Sequence, residues 1–242
     1  MRRSVLSLLL ILAVLHLPSA ARAGNLQLGL WPQFGMQRNN PVVVSNDYTG
    51  VGLVGRLGWA FGGGTIRPAL FAECGFMSFG TEHWYVPLTL AQSDMFCDVY
   101  SQYRILAFCP GISIGINRGS LRPYLDVMGG PAYFNIDNHL TNARWTGPRV
   151  DQTEDLSHMS YVWGLGGGLR FVLWEKGEKQ TDRLIKDIAI DLKALYQKSG
   201  QSNFIVKQNL RRPSEDGPVL YDKSSSDLDM VQFRFGASFQ LL

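Results

Sequence analysis

Apolar and polar residues alternate with a period of two along eight stretches of this chain, the spacing of half-buried β-strands. The clearest is the last. Val231, Phe233, Phe235, Ala237, Phe239 and Leu241 fall on one face, and Met230, Gln232, Arg234, Gly236, Ser238 and Gln240 on the other. The same alternation predicts strands over Asn25 to Phe34, Val51 to Phe61, Ile66 to Met77, Tyr103 to Ile116, Leu121 to Phe134, Tyr161 to Leu173 and Ile188 to Tyr196. One face of each is rich in Leu, Ile, Val, Phe and Trp. The other repeatedly carries Gly, Gln, Arg and Asp, too small and too polar for a dry core.

The connections between these strands run long, short, long, short, long, medium, long. Gly62-Gly63-Gly64-Thr65 and Asn117-Arg118-Gly119-Ser120 are the short ones, composed of turn residues. Met36 to Asp47, Ser78 to Gln102, Asn135 to His158 and Lys198 to Leu228 read as long polar loops, although Trp84 to Leu90 could itself be extended. Alternate connections of a meander lie at opposite ends. Short turns at one end and long loops at the other, on strands of about 10–14 residues, fit a transmembrane barrel with lipid outside and a polar lumen. The expected fold class is all-β: an eight-stranded antiparallel transmembrane β-barrel, or ten strands if loop segments pair. A soluble barrel or sandwich would need the opposite polarity inside.

The first residues change the picture in two ways. Arg2 and Arg3 precede an apolar run from Val5 to Leu17, Pro18 breaks it, and Ala21-Arg22-Ala23 supplies small residues for cleavage. Residues 1–23 therefore read as an export signal and 24–242 as the barrel domain, placed in the cell outer membrane of a Gram-negative envelope. The whole chain has 23 Lys and Arg against 20 Asp and Glu, and Arg2, Arg3 and Arg22 account for the excess. With no basic surplus left after cleavage, a nucleic-acid partner is excluded. No later stretch is apolar for the roughly 18 residues a membrane helix needs, so strands closed into a barrel would have to make the crossing.

Three stretches bear a family likeness. Leu121-Arg122-Pro123-Tyr124-Leu125-Asp126-Val127-Met128-Gly129-Gly130 resembles a strand common to small outer-membrane β-barrel proteins of the OmpA and OmpX type. Trp163 to Phe171 resembles their next strand. Arg234 to Leu241 matches the terminal signal read by the barrel assembly machinery, with Gly236, Phe239 and Leu241 at its defining positions and Leu242 one residue beyond. The resemblance implies an outer-membrane barrel surrounded by lipid and lipopolysaccharide and installed by that machinery. It implies little about activity.

Candidate chemistry is sparse. Arg56, Arg67, Glu73, Arg122, Asp126, Arg170, Asp191, Lys193 and Arg234 all fall on the polar face, so they point to a lumen charge network that plugs the barrel or, alternatively, lines a small gated pore. His158 and Ser160 share one strand face and resemble weakly the His-x-Ser pair of outer-membrane lipid A deacylases, which use it on the lipid-facing side. Glu154 and Asp155 lie nearby in an expected loop. Gly50-Val51-Gly52-Leu53-Val54-Gly55 fits the dinucleotide spacing, but the residues after it continue a strand pattern where a helix is required. No cofactor and no metal is expected. Two of Cys74, Cys97 and Cys109 could pair in an oxidising compartment, and spacing does not say which. Trp84, Tyr85, Phe96, Trp145, Phe204 and Tyr221 sit in the expected loops and could contact a surface ligand, while Trp59, Tyr133 and Tyr196 suit the headgroup level. The functional expectation is a non-enzymatic envelope or surface-interaction protein, with a lipid-modifying enzyme or a small pore as alternatives.

Overall fold

The computed structural model describes residues 25–38, 49–89, 94–142, 151–176, 184–211 and 220–241. The export signal and the first long loop lie almost wholly outside these. Eight strands follow one another: β1 (Asn25–Gln37), β2 (Thr49–Ala60), β3 (Ile66–Thr89), β4 (Asp94–Ile116), β5 (Leu121–Asn142), β6 (Asp151–Glu175), β7 (Ile185–Arg211) and β8 (Leu220–Leu241). Each pairs antiparallel with its sequence neighbour, and β8 returns to pair with β1, which closes the sheet. The strand number is eight, and the ten-stranded alternative falls.

Closure works because the period-2 alternation is in phase across every pair. Leu28, Leu57, Leu70, Ile112, Leu125, Leu165, Leu192 and Phe235 are all exposed on the outer face. Their strand neighbours Gln27, Arg56, Glu73, Ser113, Asp126, Asp191 and Arg234 are buried within. Polarity is thus inverted relative to a water-soluble core. The short turns are as expected, with Gly62 at φ 77° and Gly119 at φ 85°, left-handed conformations that a side chain disfavours.

The other end departs from expectation. Most of Ser78 to Gln102, Asn135 to His158 and Lys198 to Leu228 is not loop but continued strand, as β3–β4, β5–β6 and β7–β8 run on as paired hairpins beyond the barrel. Glu154 and Asp155, expected in a loop, lie in β6 opposite Asn138 and Asp137. Trp84, Tyr85, Phe96, Phe204 and Tyr221 are likewise on strand backbone, while Trp145 lies outside the described residues. A β-bulge at Ser78/Thr81, centred on Gly80 with φ 81°, explains part of the misreading. It inserts an unpaired residue and reverses the phase of β3. Met77 and Phe79 are buried inside, whereas Thr81 and His83 are exposed.

The extension also corrects the expected interior. Many of its inward residues are apolar: Met77, Phe79, Tyr103, Ile105, Phe134, Ile136, Leu228 and Met230 form one buried cluster that reaches down to Phe71, Met128 and Leu195, while Ser101 and Asn138, buried beside it, hydrogen-bond to each other. The lumen therefore has two layers, charged toward the short turns and largely apolar toward the hairpins. Strands stopped at Met77 or Phe134 hide the upper layer from a reading of the sequence.

The seam between β8 and β1 depends on Gly236. A Cβ there would lie 2.1 Å from the Leu30 carbonyl oxygen and 2.8 Å from Trp31, whose indole is fully buried in the lumen. Gly236→Val should lose the compact, heat-sensitive band of the folded barrel on unboiled gels, because overpacking costs about 1–3 kcal/mol or more. Gly55→Ala meets nothing within 4 Å and should leave that band intact.

Candidate functional site

The polar layer is built from side chains that neighbouring strands place at one height. Arg56 on β2 and Glu73 on β3 are direct cross-strand partners, and Lys193 and Arg234 are partners on β7 and β8. Asp126 reaches in from β5. Glu73 is the hub. Its Oε1 accepts from Arg56 Nε at 2.9 Å and Lys193 Nζ at 3.0 Å, and its Oε2 accepts from Arg234 Nη1 at 2.6 Å. Asp126 accepts from Lys193 Nζ at 2.7 Å and from Arg56 Nη2. The side chains of Arg56, Glu73, Asp126, Lys193 and Arg234 are each at most 5% exposed. The Arg56 guanidinium also lies 3.7 Å from the centre of the Phe71 ring, a cation–π contact that partly replaces lost water.

Nearer the short turns lies a second cluster. Asp191 accepts from the Tyr124 hydroxyl at 2.6 Å and from Arg170 Nε at 3.2 Å, and Arg170 lies 4.5 Å over the Tyr124 ring. A third cluster closes that end. Arg122 donates to Asp187 at 2.8 Å and to the Gly119 carbonyl at 3.1 Å, and forms an ion pair with Glu175 at 2.9 Å. Arg67 lies at the same end. It donates to the Phe61 carbonyl at 3.4 Å, and the Asn25 amide, oxygen turned inward, accepts from it at 2.9 Å and from Lys186 at 2.8 Å. Toward the hairpins, Arg234 donates to Gln232 at 2.9 Å and Gln232 to Gln197 at 2.6 Å.

The sequence missed Asp187, Glu175 and Lys186, which it placed in or beside a charged connection, and gave Tyr124 no role. The two-residue spacing from Asp191 through Ala189 back to Asp187 was the available signal. Little space remains between these groups. The cavities among them are about 30, 10 and 20 Å³, enough for one or two waters each. Such an arrangement can hold eight strands in register and block passage. It leaves no room for a substrate.

His158 and Ser160 stand half-buried on the inner side of β6, between the exposed Met159 and Tyr161 and opposite Phe134 and Ala132. They sit in the apolar layer, away from the charge clusters. The dinucleotide-like glycines lie inside β2, where a Cβ on Gly52 would be 1.9 Å from the Phe76 carbonyl oxygen, and no helix follows. That spacing serves strand packing. Cys74 points outward and Cys109 inward, on opposite faces of the wall, so these two do not pair; the Cys97 side chain lies outside the described residues. Phe239 and Leu241 of the terminal signal pair with Leu28 and Leu26 across the seam.

No family model matches the sequence, and no curated protein matches it. Among solved structures, the attachment invasion locus protein Ail of Yersinia pestis, crystallised with the heparin analogue sucrose octasulfate, is 10% identical with a TM-score of 0.40, over 90% of this chain and 97% of that one. A major outer membrane protein from Thermus thermophilus is 12% identical with a TM-score of 0.37, over 90% of this chain and 100% of that one. Likeness this distant carries no functional argument, and the barrel rests on its own strand pairing.

Glu73→Gln should destabilise the barrel by about 3–5 kcal/mol, because it strands three buried cations with one carboxylate. Tyr124→Phe removes one hydrogen bond to a charged partner and should cost about 1.5–3 kcal/mol. Urea unfolding of the refolded protein, followed by tryptophan fluorescence, measures both, and equal midpoints for the two variants would contradict the hub role of Glu73.

Proposed function

We propose that the chain is an integral outer-membrane protein whose barrel is a plugged, non-enzymatic scaffold for its long hairpins, acting in envelope structure or surface interaction. One observation carries the membrane reading: a continuous outward belt of exposed Leu, Ile, Val and Phe surrounds a buried, ion-paired interior. On β4 the belt runs from Leu106 to Ile116, close to the roughly 9–11 residues a tilted strand needs to span hydrocarbon. The short turns and both ends of the closed sheet lie at one end, the periplasmic end in this orientation. The extended hairpins then stand outside the cell.

Two features support the scaffold role. The buried charges Arg56, Glu73, Asp126, Lys193 and Arg234 are ion-paired with one another, which favours a plug over a pore. His158 and Ser160 face inward, whereas the lipid A deacylases they resemble use such a pair toward lipid.

The protein should remain with membranes through a high-salt wash, require detergent for release, and migrate faster on gels before boiling than after. Recovery without detergent and without a heat shift would remove the membrane reading. In planar bilayers the purified monomer should give no large, stable channels; regular single-channel steps would replace the plug with the pore. His158→Ala should leave lipid A acylation unchanged, and altered acylation in that variant would restore the enzyme.

A further inference from the structure

The outer wall is not smooth. Where β6, β7, β8 and β1 lie side by side, the outward residues form rows fixed by register. One row is Gly167, Ala194, Phe233 and Phe34. Its first two members are small, and they form the floor of a groove of about 580 Å³ walled by Leu169, Leu192, Phe233 and Phe235. Four residues higher along the strands, about 13 Å at the usual rise, the same four strands carry Trp163, Lys198, Asp229 and Arg38. This upper row is tied to the wall. The Trp163 ring meets Tyr196 edge-on at 6.3 Å, the Tyr196 hydroxyl donates to Asp229 at 2.9 Å, and the Arg38 backbone N–H donates to the Asp229 carbonyl at 2.8 Å. Lys198 is the direct cross-strand partner of Asp229, so two cations flank one carboxylate and the row keeps a net positive charge.

We propose that this wall is a binding site for one phosphorylated, anionic lipid of the outer leaflet, with an acyl chain in the Gly167–Ala194 groove and its phosphate at Lys198 and Arg38. The inference rests on the membrane orientation given above. An acyl chain against a flat belt makes contact on one side. In the groove it meets side chains on three, and dispersion rises with each contacting atom. Headgroup and chain are recognised at once because the cations stand one chain segment above the apolar floor, with Trp163 and Tyr196 at the interface between them. Charge selects the occupant. A zwitterionic lipid or a second copy of this wall would bring its own positive charge against Lys198 and Arg38.

Native mass spectrometry of the detergent-purified protein tests this, with a bisphosphorylated lipid A or phosphatidylcholine of equal chain length added. One lipid A should be retained per barrel and phosphatidylcholine should not. Ala194→Leu, which fills the floor from outside, and the double charge reversal Lys198→Glu with Arg38→Glu should each lower retention roughly tenfold or more. Ala72→Leu, outward on the far wall, should retain lipid as the parent does. All variants are first checked for the heat shift. Retention unchanged by Ala194→Leu or by the charge reversals, equal retention of both lipids, or a dimer that Ala194→Leu dissolves would each overturn the site while leaving the membrane reading intact. Absence of the heat shift in the parent protein would overturn both.

Discussion

Every backbone N–H and C=O in hydrocarbon must find a partner within the protein, and a sheet meets that demand only by closing on itself. The pairing of β8 with β1 is therefore the constraint on which the rest of this structure depends. Once closed, the wall is one residue thick, and neighbours along a strand live in different surroundings. Trp31 inside and Leu30 outside are one peptide bond apart. The inner side chains must then fill a narrow tube. Arg56, Glu73, Asp126, Lys193 and Arg234 do so at a cost in desolvation that only mutual pairing offsets.

The two halves of the lumen divide this work. The ion-paired half is strongly directional, since Glu73 accepts only where three donors from β2, β7 and β8 converge. The apolar half, from Met77 and Ile105 to Phe134 and Met230, is non-directional and continues into the base of the hairpins. It ties the base of the extensions to the barrel. A tube filled in this manner is a rigid pedestal, consistent with function carried by what it lifts above the membrane or by what adheres to its outer wall.

The sequence disclosed the faces better than the lengths. Period two placed Arg56, Arg122, Asp126, Arg170, Asp191, Lys193 and Arg234 on the inner face, because that signal is local to each strand. Their partnerships were not legible. The 161 positions that separate Glu73 from Arg234 in the chain contain no local cue that the two will touch. The hairpin extensions escaped notice for a different reason. Above the belt, in the proposed membrane setting, neither face meets lipid, so His83, Gln102 and Asp137 can stand outward without an apolar partner pattern. At Gly80 the bulge reverses the phase outright. A polar, irregular string is what such a strand looks like in one dimension. The outer groove was hidden as well, because Gly167 and Ala194 become neighbours only through the register of β6 and β7.

The direct alignment of Arg56 with Glu73 has a consequence for how a chain like this can vary over time. A single residue inserted into β2 or β3 between the turn and that pair, if not taken up by a bulge, would carry one charge through the wall onto the outer apolar face and bring an apolar side chain in to replace it. A single length change within the belt must therefore be absorbed by a β-bulge, as at Val172/Trp174, or be matched by both neighbouring strands. The hairpin tips obey no such parity. Descendants of this protein would be expected to keep a fixed count of residues between the short turns and the belt's upper edge, and to gather their insertions and deletions at the far ends of the hairpins.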